Sequence, residues 1–192
     1  MNMDKSSDMD LIISFSRGDE NGFRELYNRY KKLLYGYLNN MIPGNPCEAD
    51  EVFAETWTKV IEKLPKYRDD GKFSAWLFRI AHNIFIDRLR RYKPERFIPI
   101  DDENSPDIPD EHPSSPVRNA EQRDLKKMID AALASLPDEQ REVFLLREEQ
   151  MSFKEIAEIQ KCSQNTVLSR MHYALKALRK FLSGIDNGGL IK

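Results

Sequence analysis

Ser152–Leu182 reads SFKEIAEIQKCSQNTVLSRMHYALKALRKFL, and its punctuation decides the fold. Ser152 stands three residues before Glu155. That spacing is a capping box, and it predicts a short helix running through Ile159. Lys161-Cys162-Ser163 makes a brief turn, and Ser163 is placed to cap a second, longer helix. The second helix is apolar at Val167, Met171, Ala174, Leu175, Leu178 and Leu182, a stripe at helical spacing that faces a core. A short capped helix, a three-residue turn and a longer helix form a helix-turn-helix pattern, whose second helix lies in the DNA major groove. With the stripe turned inward, Gln164, Asn165, Leu168, Ser169, His172, Tyr173 and Lys176 fall on or near the open side, with Arg170 at its edge. Such residues reach base edges and phosphates. The alternative is an amphipathic hairpin with a solvated basic face.

Charge separates the two halves of this unit. Ile159–Ser183 holds five bases and no acid, whereas Asp138–Glu158 holds seven acids against three bases. Only the second half is suited to approach phosphate. Upstream, a helix from about Asn119 to Ala134 is broken at Ser135-Leu136-Pro137. Pro137 fits the first turn of a following helix that carries Val143, Phe144 and Leu146.

Further upstream the composition changes. Five of the ten prolines fall within Phe97–Pro116, together with six acids and no Lys or Arg. Proline forbids regular helix and the acids resist burial, so the segment reads as an extended linker. The formal net charge of −2 argues against nucleic acid as a partner, but without those six acids it becomes +4. The linker, 96–119, divides the chain into units at 8–95 and 120–184, with a disordered tail at 185–192. The 192 residues are 32% charged with only 8 glycines, a balance that favours helices. The predicted fold is all-α: two small helical domains joined by an acidic, Pro-rich linker.

The N-terminal unit reads as four helices. Leu11, Ile12 and Phe15 form a short stripe ending near Gly18. Phe23, Leu26, Tyr27, Tyr30, Leu34, Tyr37, Leu38 and Met41 continue at helical spacing until Pro43-Gly44. Asn45-Pro46-Cys47-Glu48 supplies an N-cap, a first-turn proline and a capping-box acid. The next stripe is Ala49, Val52, Phe53, Thr56, Trp57, Val60, Ile61 and Leu64. A last helix runs from about Phe73 to Tyr92, bounded by Pro94. Around it, Lys72–Arg96 carries seven bases against two acids, interleaved with Phe73, Trp76, Phe78, Phe85 and Tyr92. Cations alternating with rings suit single-stranded DNA, where charge follows phosphates and rings accept unstacked bases. Trp76, Leu77, Ile80, Ile84 and Leu89 have core spacing, and both readings stay open at this point.

Several function classes are excluded. His82, His112 and His172 are scattered, and His82 reads as a helix-surface or core residue. There is no HExxH, phosphate loop or nucleophile elbow, so neither an enzyme, a cofactor, a metal site nor a small-molecule substrate is predicted. Cys47 and Cys162 lack partner spacing and are expected as small buried residues. No apolar run is long enough to span a membrane, and Met1–Asp10 has no basic-then-apolar signal. A cytoplasmic protein without membrane insertion is expected.

Four stretches, in order, carry a resemblance to the extracytoplasmic-function branch of the sigma-70 family. Gly18-Asp19-Glu20-Asn21-Gly22-Phe23 with Leu26-Tyr27 and Arg29-Tyr30 resembles the family's opening helix pair. Ala49-Asp50-Glu51-Val52-Phe53-Ala54-Glu55-Thr56-Trp57 resembles its polymerase-gripping helix. Phe73 through Asn83 and Asp87 through Arg91 resemble the promoter-melting helix. Leu136-Pro137-Asp138-Glu139-Gln140-Arg141-Glu142-Val143-Phe144 through Leu178 resembles the reader of the upstream promoter element.

The resemblance implies a sigma factor that binds core RNA polymerase and directs it to promoter DNA. It implies polymerase binding through Asp50, Glu51, Ala54 and Glu55. It implies minus-ten recognition and melting by the first unit, with Tyr67, Phe78 and Asn83 around a flipped base and Arg79, Arg88 and Arg91 near phosphates. It implies minus-thirty-five recognition by the second unit, an acidic linker threading a basic RNA-exit path, and control by an anti-sigma factor. The sequence departs from the family where Lys161 replaces a usual turn glycine, where Leu168 and Tyr173 replace frequent bases, and where Ala54 replaces a polar residue. A stand-alone helix-turn-helix regulator is the competing function.

Overall fold

The computed structural model describes residues 6–68, 72–92 and 120–187, with side chains over 127–183 in the last segment. Among them the elements are α1 (Asp8–Ser16), α2 (Glu20–Met41), α3 (Pro46–Lys63), α4 (Phe73–Tyr92), α5 (Ala120–Ala134), α6 (Asp138–Glu148), α7 (Phe153–Gln160) and α8 (Gln164–Asn187). A 3-10 turn, Leu64–Lys66, follows α3. The all-α prediction holds. The acidic linker and residues 188–192 lie outside the described residues, but α8 runs to Asn187, past the point where the sequence predicts a tail. No helix among the described residues is long and apolar enough to cross a membrane.

Local chemistry explains the boundaries. Ser7 and Asp10 close a capping box on α1, and Ser152 and Glu155 close another on α7. Asp19 caps α2 by accepting from the Asn21 N–H. Asn45 caps α3 by accepting from the Glu48 N–H at 3.2 Å, with Pro46 in the first turn. The Glu48 carboxylate returns to the Asn45 side-chain amide, so this acid supports the cap without completing a capping box. Pro137 sits at the N-cap of α6, one position earlier than predicted. Ser163 caps α8 through the Thr166 N–H at 3.1 Å.

α1 packs tightly on α2. A Cβ at Gly22 would stand 2.4 Å from the Leu11 carbonyl oxygen and 2.9 Å from the Phe15 nitrogen. Only glycine allows this approach. Leu26, Leu34, Leu38, Val52, Val60, Leu77, Phe78 and Ala81 fill the space between α2, α3 and α4 with no exposure. Each fully buried large side chain there contributes about 1.5–3 kcal/mol. Ile61, predicted in the inward stripe, is instead 44% exposed, and Cys47 is exposed rather than buried.

The two units do not stand apart. The buried core continues from α1–α4 into Val143, Leu146, Ile156, Ile159 and Val167. α6 packs on α2 and α7 packs on α4. A smaller cluster, Leu133, Leu136 and Ala174, ties α5 to α8.

Candidate nucleic-acid interface

On α8 the helical period sorts the residues as the sequence predicts. Val167 and Ala174 are fully buried, while Gln164, Asn165, Leu168, Ser169, His172, Tyr173 and Lys176 are exposed. Leu168 and Tyr173 are 46% and 56% exposed, a large commitment of apolar surface to solvent on this face. Arg170 is half-buried at the edge. Its Nη1 donates to Gln160 Oε1 at 2.8 Å, which anchors α8 to the end of α7. Lys161, in the turn, has φ 54° and ψ 43°. The turn thus holds a lysine in the left-handed conformation that glycine adopts without strain, at a steric cost.

On α4 the predicted residues divide. Arg91 is exposed. Arg79 Nη2 pairs with Glu158 of α7 at 2.9 Å. Asn83 Oδ1 accepts from Lys161 Nζ at 3.0 Å, and its Nδ2 donates to the Arg79 carbonyl. Phe78 requires a correction. It is fully buried, and its ring meets Tyr37 edge-on at 5.1 Å. This ring belongs to the core between α2 and α4 and cannot receive a base. Tyr67 is half-buried, 4.9 Å from Trp76 and 5.8 Å from Phe73 by ring centroids. It lines a cavity of about 240 Å³ with Asp8, Tyr30, Lys72, Phe73 and Ser74.

α3 presents Asp50, Glu51 and Ala54 to solvent, with Glu55 half-buried. Arg88 of α4 bridges this surface, with Nη1 2.7 Å from Glu51 and Nη2 3.0 Å from Glu55. The Glu55 carboxyl is held below the usual carboxylate range chiefly by the hydrogen bond from Lys59, with Arg88 adding to it against partial burial. A residue predicted for DNA is thus tied to two predicted for polymerase.

A further constellation has no counterpart in the sequence reading. Glu142 of α6 is buried. Its Oε1 accepts from the Tyr37 hydroxyl of α2 and from His82 Nδ1 of α4, the latter at 2.7 Å. Its Oε2 accepts from Gln160 Nε2 at 2.8 Å. An ionised carboxylate only accepts, so Nδ1 carries the proton. Burial, the largest single influence, raises the Glu142 pKa. The hydrogen bond and charge of His82, with hydrogen bonds from Tyr37 and Gln160, outweigh it, and the net position is below the usual value. Beside it, buried Arg141 donates to the Leu133 and Leu136 carbonyls and to Asn40 O at the end of α2, at 2.9, 2.8 and 3.3 Å. Two consecutive charges in a helix carry no sequence signal of burial.

Comparison with known proteins agrees with this layout. The model of Sigma-70 region 2 matches residues 26–95, and that of Sigma-70, region 4 matches 126–178. The chain is 30% identical over 180 residues to the ECF RNA polymerase sigma factor SigW of Bacillus subtilis, covering 89% of this chain and 94% of that one. It is 28% identical to the RNA polymerase sigma-H factor of Pseudomonas aeruginosa over 186 residues, 93% and 95% of the two chains. Among solved structures, CnrH in complex with the cytosolic domain of CnrY matches with TM-score 0.66 at 24% identity, over 93% of this chain and 99% of that one. RpoE in complex with the anti-sigma factor NepR from Bartonella quintana matches with TM-score 0.63 at 23% identity, over 84% and 96%.

Proposed function

The chain belongs to the extracytoplasmic-function branch of the sigma-70 RNA polymerase sigma factors, and on that premise we propose how its residues divide the work of promoter-specific initiation. The unit at 8–95 binds core polymerase and opens the minus-ten element. The unit at 120–184 reads the minus-thirty-five element, and 96–119 links them. The observation that carries this reading is the face of α8, where seven of the eight predicted reader residues are exposed beside buried Val167 and Ala174. Gln164, Asn165 and Ser169 are suited to base edges, Lys176 and Arg170 to phosphate, and Leu168 to a thymine methyl.

Asp50, Glu51, Ala54 and Glu55 form the polymerase-binding surface. Arg79, Asn83, Arg88 and Arg91 follow the melted strand along α4. Tyr67, with the cavity beside it, is the stacking partner for a flipped base, a place the family resemblance shares between it and Phe78. Work with core polymerase places the protein in the cytoplasm. Its fold relatives include CnrH captured with the cytosolic domain of CnrY and the sigma factor RpoE captured with the anti-sigma factor NepR, and an anti-sigma factor is the corresponding partner for this chain.

Run-off transcription with purified bacterial core polymerase and a library of promoter fragments tests the reading. Initiation that depends on this protein, and falls with Asn165→Ala at particular promoter positions, supports it. Association with core and specific initiation that are both unaffected by changes at Glu51, Asn83 and Asn165 would sink the residue assignments.

A further inference from the structure

Gln160 ends α7, and its side chain meets three groups at once. Nε2 donates to the Glu139 carbonyl at 3.0 Å and to the Glu142 carboxylate at 2.8 Å, both on α6. A carbonyl and an ionised carboxylate only accept, so both amide hydrogens point there and the amide oxygen is left to face α8. That oxygen takes a hydrogen bond from Arg170 Nη1 at 2.8 Å. The orientation of the amide is therefore set by α6, and through it the orientation of a guanidinium on α8.

Arg170 is half-buried, at the edge of the exposed α8 face. Its Nη1 also lies 3.6 Å from Cys162 Sγ. Among the described residues its hydrogen bonds are made by Nη1 alone. The Nε and Nη2 hydrogens lie along the opposite edge of the planar cation. That edge matches two oxygens of a phosphate. No acid stands between Ile159 and Ser183, so no carboxylate on the neighbouring turns of α8 competes for it. An arginine ordered before it binds loses less freedom when it does.

We infer that Gln160 is a positioning residue for promoter reading: its amide oxygen holds Arg170 so that the Nε–Nη2 edge clamps one phosphate of the upstream element as α8 enters the groove. The inference rests on the assignment of the α8 face to duplex DNA. Gln160 acts through Arg170 and touches no DNA itself. A phosphate contact of this kind fixes the register and orientation of a recognition helix and reads no base.

The test uses holoenzyme assembled from the full chain and bacterial core polymerase. The probe is the promoter fragment that yields most product in run-off transcription, labelled with fluorescein. Binding is titrated by anisotropy at several salt concentrations for wild type, Gln160→Met, Arg170→Ala and the double variant. Methionine keeps the length of the side chain and removes its hydrogen bonds. Gln160→Met should lower affinity about tenfold and reduce the salt slope by about one. Arg170→Ala should lose at least as much, and the double variant no more than Arg170→Ala alone. Gln160→Asn keeps the amide but shortens its reach, and should show the same two losses with less disturbance of packing.

Unchanged affinity and slope in both Gln160 variants, with Arg170→Ala impaired, would overturn the inference and leave the reading of α8 standing. A Gln160→Met loss that persists in full beside Arg170→Ala would show a structural role alone, and overturn it as well. An unimpaired Arg170→Ala removes the phosphate contact itself, and with it both the inference and that part of the α8 assignment.

Discussion

His82 Nδ1 and Glu142 Oε1 lie 2.7 Å apart across the boundary between the two units, sixty residues apart in sequence. Both are buried. Removing the carboxylate leaves the Tyr37, His82 and Gln160 donors at that buried site unsatisfied. Glu142→Ala should therefore destabilise the chain by about 1–3 kcal/mol, read as a fall in the urea midpoint. Glu142→Gln, which can still hydrogen-bond, should cost less.

The same carboxylate sets a pH dependence. Its folded-state pKa lies below the ordinary 4.5, so the unfolded chain binds the proton more readily. The stabilisation it gives is then fully present above about pH 4.5 and is lost as pH falls through the depressed folded value. Urea unfolding at a series of pH values should show wild type losing stability faster than Glu142→Gln below pH 5. Parallel curves would refute the linkage.

Gly22 admits α1 against α2. A methyl group there meets two backbone atoms that cannot rotate away. Gly22→Ala should destabilise by about 1–3 kcal/mol, although alanine favours helix. Differential scanning calorimetry would register this as a lowered Tm, and an unchanged or raised Tm would show that α1 shifts freely.

Gln150 follows α6 with φ 59°, in the left-handed region. Glycine is unstrained there, so Gln150→Gly should stabilise by about 0.5–1 kcal/mol. Chemical denaturation of the pair of proteins decides the sign.

Two α8 substitutions should behave differently in the holoenzyme. Lys176→Ala should weaken binding to all promoters alike and reduce the salt slope by about one. Asn165→Ala should relax preference at one or two base positions, at about 1–3 kcal/mol of discrimination. Titrations at several salt concentrations against matched and mismatched duplexes distinguish the two.

Elements governed by neighbours along the chain are legible in the sequence itself. Ser152 and Glu155 lie three apart and cap the same turn. The α8 face follows from a 3.6-residue period alone. Residues governed by distant partners are not legible in this way. Phe78 has the ring a base pocket wants, but Tyr37, 41 positions earlier in the sequence, covers it. Arg141 and Glu142 look like solvent charges on α6, and only the arrival of α2, α4 and α7 gives them a buried role. Ile61 keeps its helical spacing yet faces outward, because the stripe on α3 is wider than the partner surface that covers it.

Arg88 joins α4 to Glu51 and Glu55 on α3, and Glu51 is 67% exposed. At the Glu51 end, the exposed side of the bridge, an ion pair is worth about 0–1 kcal/mol. A basic group arriving on α3 therefore competes with Arg88 for the Glu51 oxygens at little cost. The exchange is reciprocal: a phosphate that draws Arg88 away leaves Glu51 and Glu55 more available to the incoming cation. With polymerase on α3 and the promoter strand on α4, as proposed above, each would thus lower the cost of the other's arrival through a single guanidinium.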